Sequence, residues 1–226
     1  MKLYVDCARV PVIESLMKTG VFFGVTTNPL ILRDAGIGPD TLGTFVNQVF
    51  GLGAKEVFLQ SWGENATKLY ENGKRLAEIG KTGTRIVVKV PATREGFEAA
   101  SKLAEESVKT CITAVYSPFQ AVLAASVQAA YAAPYLGRMN DAGRDGHAMI
   151  ARMSEALRNT GSSTAILAAS IRGPEDVERL ARNGIGCITL SPAVAEMLFD
   201  EPLTAAAVKA FESAAKECGM VEDKPV

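Results

Sequence analysis

The sequence predicts an α/β chain, a single (β/α)8 TIM barrel with an extra C-terminal helix, and three observations carry that prediction. Eight short apolar runs recur along the 226 residues, and they alternate with segments whose apolar residues fall at helical spacing. The runs are also apolar throughout rather than at every second residue. That last point selects the sheet type: strands covered by helices on both faces have no wet side. Eight such strands close naturally into a barrel, and 226 residues is compact but sufficient for one. The rival is an open doubly wound sheet.

Strands are expected at residues 3–6, 21–25, 56–60, 85–90, 110–115, 130–135, 164–169 and 186–190. Helices are expected at residues 41–50, 64–79, 94–106, 118–128, 146–159 and 174–182. Gly51-Leu52-Gly53 reads as a helix-ending turn. Two more helical stretches, 193–198 and 203–218, follow the eighth strand. The second outlasts what barrel closure needs, so it packs either on its own subunit or on a neighbour. No Pro- or Ser-rich linker, low-complexity tract or composition shift divides the chain, and residues 1–226 are expected to form one domain.

Composition narrows the partners. The balance of 24 basic and 25 acidic residues leaves no electrostatic case for nucleic acid or an anionic lipid surface. No apolar run approaches the roughly 20 residues that span a bilayer, and Met1 leads directly into a strand rather than a signal-like segment. The four cysteines are scattered without CxxC spacing, and three sit in or beside apolar runs. Reduced, buried thiols in a cytoplasmic protein are the expectation.

The chemistry starts at Lys89. Residues 85–91 (RIVVKVP) place a lysine inside an apolar strand, where an ammonium is costly to bury. Such a lysine finds a carboxylate, snorkels to the rim, or gives up its proton. Its company decides between these. Asp6 ends strand one, Thr26 and Asn28 follow strand two, Gln60 ends strand three and Thr113 lies in strand five. Tyr135 ends strand six with Arg138 just beyond, and Ser170 ends strand seven with Arg172 just beyond. In a parallel barrel, the carboxyl ends of all strands form the one rim where active sites lie.

The residue types point to a reaction. A lysine desolvated among apolar side chains is a nucleophile for a Schiff base with a carbonyl substrate. Asp6 can steer protons or hold the amine. Thr26, Asn28 and Ser170 can hydrogen-bond sugar hydroxyls, and Tyr135 offers a phenol for proton transfer. Arg138 and Arg172 suit a phosphate. A metal-dependent aldolase wants several histidines, whereas His147 is the only one. In its setting (DGHA, residues 145–148), it reads as an exposed or capping residue at a helix start. No GxxxxGK[ST] or strand-linked GxGxxG loop is present. Trp62 either overhangs the pocket or packs on a helix.

Residues 24–31 (GVTTNPLI), 87–91 (VVKVP), 133–138 (APYLGR), 167–172 (LAASIR) and 188–192 (ITLSP) resemble the short transaldolase family, in family order. The resemblance runs from Leu3 to about Phe211. It implies a (β/α)8 barrel that needs no metal or organic cofactor, with Lys89 as the Schiff-base lysine. It assigns Asp6, Thr26, Asn28 and Ser170 to the dihydroxyacetone portion and Arg138 and Arg172 to the phosphate. Gln60, Tyr135 and residues 113–116 (TAVY) are similar to the fructose-6-phosphate aldolase branch, where true transaldolases carry glutamate and phenylalanine at the first two positions. In that branch Tyr135, with a water held by Gln60 and Thr113, handles the proton. The sequence departs from the pattern at residues 61–63 (SWG) and at Cys111 and Ile112, which bears on the acceptor aldehyde.

The implied activity is reversible cleavage of fructose 6-phosphate to dihydroxyacetone and glyceraldehyde 3-phosphate by a homo-oligomer, pentamer or decamer, whose C-terminal helix covers a neighbour. The alternatives are a transaldolase, which passes the dihydroxyacetone unit to a second sugar phosphate, and a non-catalytic sugar-phosphate-binding barrel.

Overall fold

Strands this apolar cannot leave a face to water, and the computed structural model, which describes residues 1–79 and 85–220, closes them into a barrel. The strands are β1 (Lys2–Asp6), β2 (Phe22–Thr26), β3 (Glu56–Gln60), β4 (Ile86–Pro91), β5 (Thr110–Val115), β6 (Tyr131–Pro134), β7 (Ala165–Ala168) and β8 (Cys187–Leu190). Each pairs in parallel with its sequence neighbours, and β8 closes onto β1. The open doubly wound alternative is thereby excluded.

The larger helices of the outer ring are α3 (Pro39–Gly51), α4 (Ala66–Ala77), α5 (Arg94–Glu105), α6 (Pro118–Ser126), α8 (Gly146–Asn159) and α9 (Pro174–Arg182). Their starts are written in the sequence. Asn65, Thr93 and Asp145 each accept a backbone N–H of the first turn, of Lys68, Gly96 and Ala148 respectively. Gly51-Leu52-Gly53 does end α3, with Gly53 at φ 96°. Three short helices escape the periodicity: α1 (Val10–Met17), α2 (Pro29–Asp34) and α7 (Leu136–Asp141). Six to eight residues make barely two turns, too few for a 3.6-residue repeat to register, and a helix that short depends on tertiary contacts.

Two cores result. The larger lies between sheet and helices and takes the outward-facing residues, such as Val5, Val88, Ile112 and Ile188. The smaller fills the barrel interior with Tyr4, Phe58, Val87, Cys111, Tyr131, Ala133, Leu167 and Cys187. At its amino-terminal end, the Tyr4 and Tyr131 hydroxyls both donate to Glu56 Oε2, at 2.8 and 2.7 Å, and Lys109 lies 3.1 Å from Oε1. Burial pushes both phenols up, so they stay protonated donors. Burial also opposes the Glu56 charge, but Tyr131, Tyr4 and Lys109 outweigh it and hold the carboxyl below its usual range. Gly24 fits its place on β2 for a steric reason, since a Cβ there would come 2.3 Å from the Glu56 carbonyl oxygen.

Beyond β8 come α10 (Pro192–Met197) and α11 (Pro202–Glu217). No residue of α11 is buried, and Leu203, Val208 and Phe211 stand in the open. No described helix is long and apolar enough to cross a membrane.

Candidate active site

Neighbouring residues of a strand face opposite sides, so the residue two places beyond an interior core residue points inward again. Two places beyond Tyr4, Phe58, Val87, Cys111, Ala133 and Cys187 stand Asp6, Gln60, Lys89, Thr113, Tyr135 and Thr189. The alternation changes from apolar to polar at one level, near the carboxyl ends of the strands. The alternation on β5 stops there: Ala114 adopts φ 57° at a bulge just past Thr113, and this extra residue turns Val115 outward to join Ile112 in the outer core.

A cavity of about 160 Å³ opens there. Seven of the ten expected residues line it: Asp6, Thr26, Asn28, Lys89, Tyr135, Arg138 and Ser170, joined by Thr189. Lys89 is 6% exposed and donates from Nζ to the Thr27 carbonyl at 2.9 Å. Gln60 and Cys111 are its register partners on either side. Burial pushes the Cys111 thiol up to about 12, against a smaller opposing pull from Lys89, so it remains a thiol. The Thr26 hydroxyl donates to Asp6 Oδ1 at 2.6 Å and lies 2.6 Å from the Thr189 hydroxyl. With the Thr26 hydrogen committed to Asp6, Thr189 must be the donor in the second bond. Burial raises the Asp6 carboxyl above its usual range, and Lys89 and the Thr26 hydrogen bond restore only part of that.

Asn28 has two jobs. Its Oδ1 accepts from Leu30 and Ile31 N–H at 2.9 and 3.0 Å, capping α2. That settles which amide atom is which and leaves the NH₂ as the group presented to the cavity. Tyr135 extends β6 by one bridge to Ala169, and its hydroxyl is 2.9 Å from Thr113 Oγ1. The Arg138 guanidinium lies 4.9 Å above the Tyr135 ring, and the Tyr116 ring meets the same ring edge-on at 5.7 Å. Contact with the Tyr116 hydroxyl raises Arg138 further above its ordinary value, so the cation is permanent.

Ser170 sits at φ 59°, a left-handed conformation costing a non-glycine residue about 1–2 kcal/mol. Its carbonyl takes the Gly137 N–H at 2.8 Å. A Cβ on Gly137 would come 2.5 Å from that carbonyl oxygen and 2.6 Å from Arg172 Nε, so only glycine admits this approach.

Three expected residues lie outside the cavity wall. Gln60 stands at the end of β3 beside Lys89. Thr113 reaches the cavity through Tyr135. Arg172, two residues beyond Ser170, is exposed, with its guanidinium on Asp141 at 2.7 Å. Trp62 is also exposed and off the cavity wall, its carbonyl bonded by Asn72. His147 differs from the expectation. It is buried rather than exposed, and Asp145, not His147, caps α8. The first turn of α8 carries His147 up against Asp176 of α9, with Nε2 2.9 Å from Oδ1. Sequence reasoning missed Thr189 and Tyr116. The apolar–polar alternation from Cys187 to Thr189 was a usable signal for the first; the second lies in the 113–116 (TAVY) segment, but nothing local gives it a role.

The sequence model of the transaldolase/fructose-6-phosphate aldolase family matches residues 3–226. A probable transaldolase of Oceanobacillus iheyensis is 37% identical over 212 residues, covering 93% of this chain and 96% of that one. A probable transaldolase of Hydrogenobaculum sp. is 32% identical over 225 residues and spans 100% of both. Among solved structures, a flavocytochrome B2 mutant aligns with TM-score 0.62 at 13% identity over 86% of this chain and 57% of that one. A mandelate oxidase mutant aligns with TM-score 0.58 at 14% identity over 85% and 64%. The chain thus spans roughly six-tenths of each of those structures, and the likeness is one of fold.

Proposed function

Because the chain belongs to the transaldolase/fructose-6-phosphate aldolase family, we propose that it is a class I aldolase that reversibly cleaves fructose 6-phosphate through a Schiff base on Lys89. The observation that carries this reading is one cavity holding a buried lysine amine, a carboxyl hydrogen-bonded by Thr26 and a phenol with its own hydrogen-bond partner. Lys89 Nζ adds to the C2 ketone, and loss of water gives an iminium. Tyr135, with a water held by Gln60 and Thr113, takes the C4 hydroxyl proton as the C3–C4 bond breaks. The electron pair moves into the iminium, forming an enamine. Glyceraldehyde 3-phosphate departs; protonation at C3 and hydrolysis then release dihydroxyacetone. Asp6 and Thr26 hold the amine end, Asn28 and Ser170 the hydroxyls, and Arg138 and Arg172 the phosphate.

The second reading, a transaldolase, is favoured by the names of the relatives. There the enamine waits for an acceptor sugar phosphate instead of being hydrolysed. Strict dependence of turnover on erythrose 4-phosphate would establish transfer; dihydroxyacetone release without it supports cleavage. Borohydride with dihydroxyacetone should add one three-carbon unit at Lys89, and Lys89→Arg should lose both label and turnover. A label on another lysine sinks the assignment.

The reading needs no cofactor and places the enzyme in the cytoplasm as a homo-oligomer, a pentamer or decamer. The exposed Leu203, Val208 and Phe211 of α11 support that assembly, because an apolar helix face without cover on its own barrel finds another surface. A monomer by light scattering at micromolar concentration refutes it.

A further inference from the structure

The mechanism above leaves His147 unused, although it is the only histidine in the chain and is 5% exposed. We propose that His147 and Asp176 are positioning residues that hold the segment between β7 and α9 so that Arg172 meets the phosphate end of the substrate. This assignment rests on the sugar-phosphate reading and deepens it.

One carboxylate joins the two parts. His147 Nε2 lies 2.9 Å from Asp176 Oδ1, while Asp176 Oδ2 accepts the backbone N–H of Arg172 at 2.9 Å. With the carboxylate as acceptor, Nε2 carries the hydrogen, a tautomer assigned from this bond. The first turn of α8 is therefore tied through Asp176 to the backbone two residues beyond Ser170 of the cavity wall. The opposite side of the same segment is gripped by α7. Gly137 donates to the Ser170 carbonyl at 2.8 Å, and Asp141 holds the Arg172 guanidinium at 2.7 Å.

Fixing the segment has physical work to do. Ser170 is held at φ 59°, a conformation that a serine leaves unless its surroundings over-determine it. Arg172 is exposed, and an arginine on a loose segment loses much of its contact energy to ordering. Packing alone does not account for the histidine. Its Nδ1 is buried with no partner among the described residues, a cost that a leucine filling the same space would not incur.

The test compares wild type, His147→Leu and His147→Gln in the condensation of dihydroxyacetone with glyceraldehyde 3-phosphate and with glyceraldehyde. The glutamine amide can still donate to Asp176. His147→Leu should raise KM for the phosphorylated acceptor about 10-fold, leave its kcat within about 2-fold, and leave KM for glyceraldehyde unchanged. His147→Gln should restore most of the loss. If His147→Leu does not fold, Asp176→Asn, which weakens the same bridge, must show the same selective rise in KM.

Equal losses on both acceptors, or a glutamine variant as impaired as the leucine one, overturn the positioning role. A wild type that prefers the phosphorylated acceptor, beside a leucine variant that prefers it equally, overturns this assignment alone. A wild type with no such preference removes the sugar-phosphate reading, and the assignment falls with it.

Discussion

Replacing Tyr135 by phenylalanine deletes one oxygen and little else, which makes it the sharpest probe of the proposed chemistry. The ring keeps its edge-on contact with Tyr116 at 5.7 Å and its place 4.9 Å beneath Arg138. What goes is the hydroxyl 2.9 Å from Thr113. One neutral hydrogen bond is worth about 0.5–1.5 kcal/mol of stability, so at roughly 2–4 °C per kcal/mol the melting temperature should fall by only a few degrees. A positioned proton-transfer group is worth about 10²–10⁴ in rate, or roughly 2.7–5.4 kcal/mol at 1.36 kcal/mol per tenfold. The catalytic loss should therefore far exceed the structural one. The assay follows dihydroxyacetone release from fructose 6-phosphate, with borohydride trapping of dihydroxyacetone run in parallel. Trapping should survive, because imine formation belongs to Lys89. Adding Gln60→Glu should recover some transfer to erythrose 4-phosphate through a carboxylate-held water. A variant that cleaves at near wild-type rate would falsify the acid/base role and leave the transaldolase reading in its place.

Two further predictions concern charge buried inside the barrel. Glu56→Gln should destabilise by about 3 kcal/mol at neutral pH, lowering the melting temperature by roughly 6–12 °C, because Lys109 loses its ionic partner and two phenols lose a charged acceptor. The folded Glu56 carboxyl lies below its ordinary value of 4.5, so its contribution is complete above that pH and fades as the pH falls through the folded value. A difference from wild type that persists undiminished into strong acid would count against the mechanism. Asp6→Asn should do the reverse: raise the melting temperature at neutral pH while cutting turnover about 10²-fold or more. Its carboxyl is raised by burial, so the native form gives up stability as the pH climbs from the ordinary 3.8 to the folded value. The gain in the variant should open over that window and stay level beyond it; a variant less stable than wild type at pH 7 contradicts the account.

Much of this molecule is legible from residue order because its two periodicities are local. Strands buried on both faces and amphipathic segments between them specify a parallel sheet covered by helices without any knowledge of contacts; the pairing of β8 with β1 is what makes it a barrel rather than an open sheet. A lysine amid Ile86, Val87, Val88 and Val90 announces itself because apolar strands do not carry ammonium groups without cause. The polar ends of the same strands point to one rim as soon as the sheet is known to be parallel.

Other features exist only once the chain is closed. The bulge at Ala114 sets which way Val115 faces, and no residue type announces a left-handed alanine. Asn28 reads as a ligand of hydroxyls, yet half of its amide caps a six-residue helix too short to be seen in the pattern. His147 reads as an exposed or capping residue because it lies at a helix start; its packing against Asp176 joins residues 29 apart. Thr189 joins Thr26 across 163 residues because β8 closes against β1. Sequence pattern reports which face of an element is apolar, since that depends on residues a few places apart. Which polar group meets which across the rim depends on barrel closure and strand register, and these are settled by packing of the whole chain.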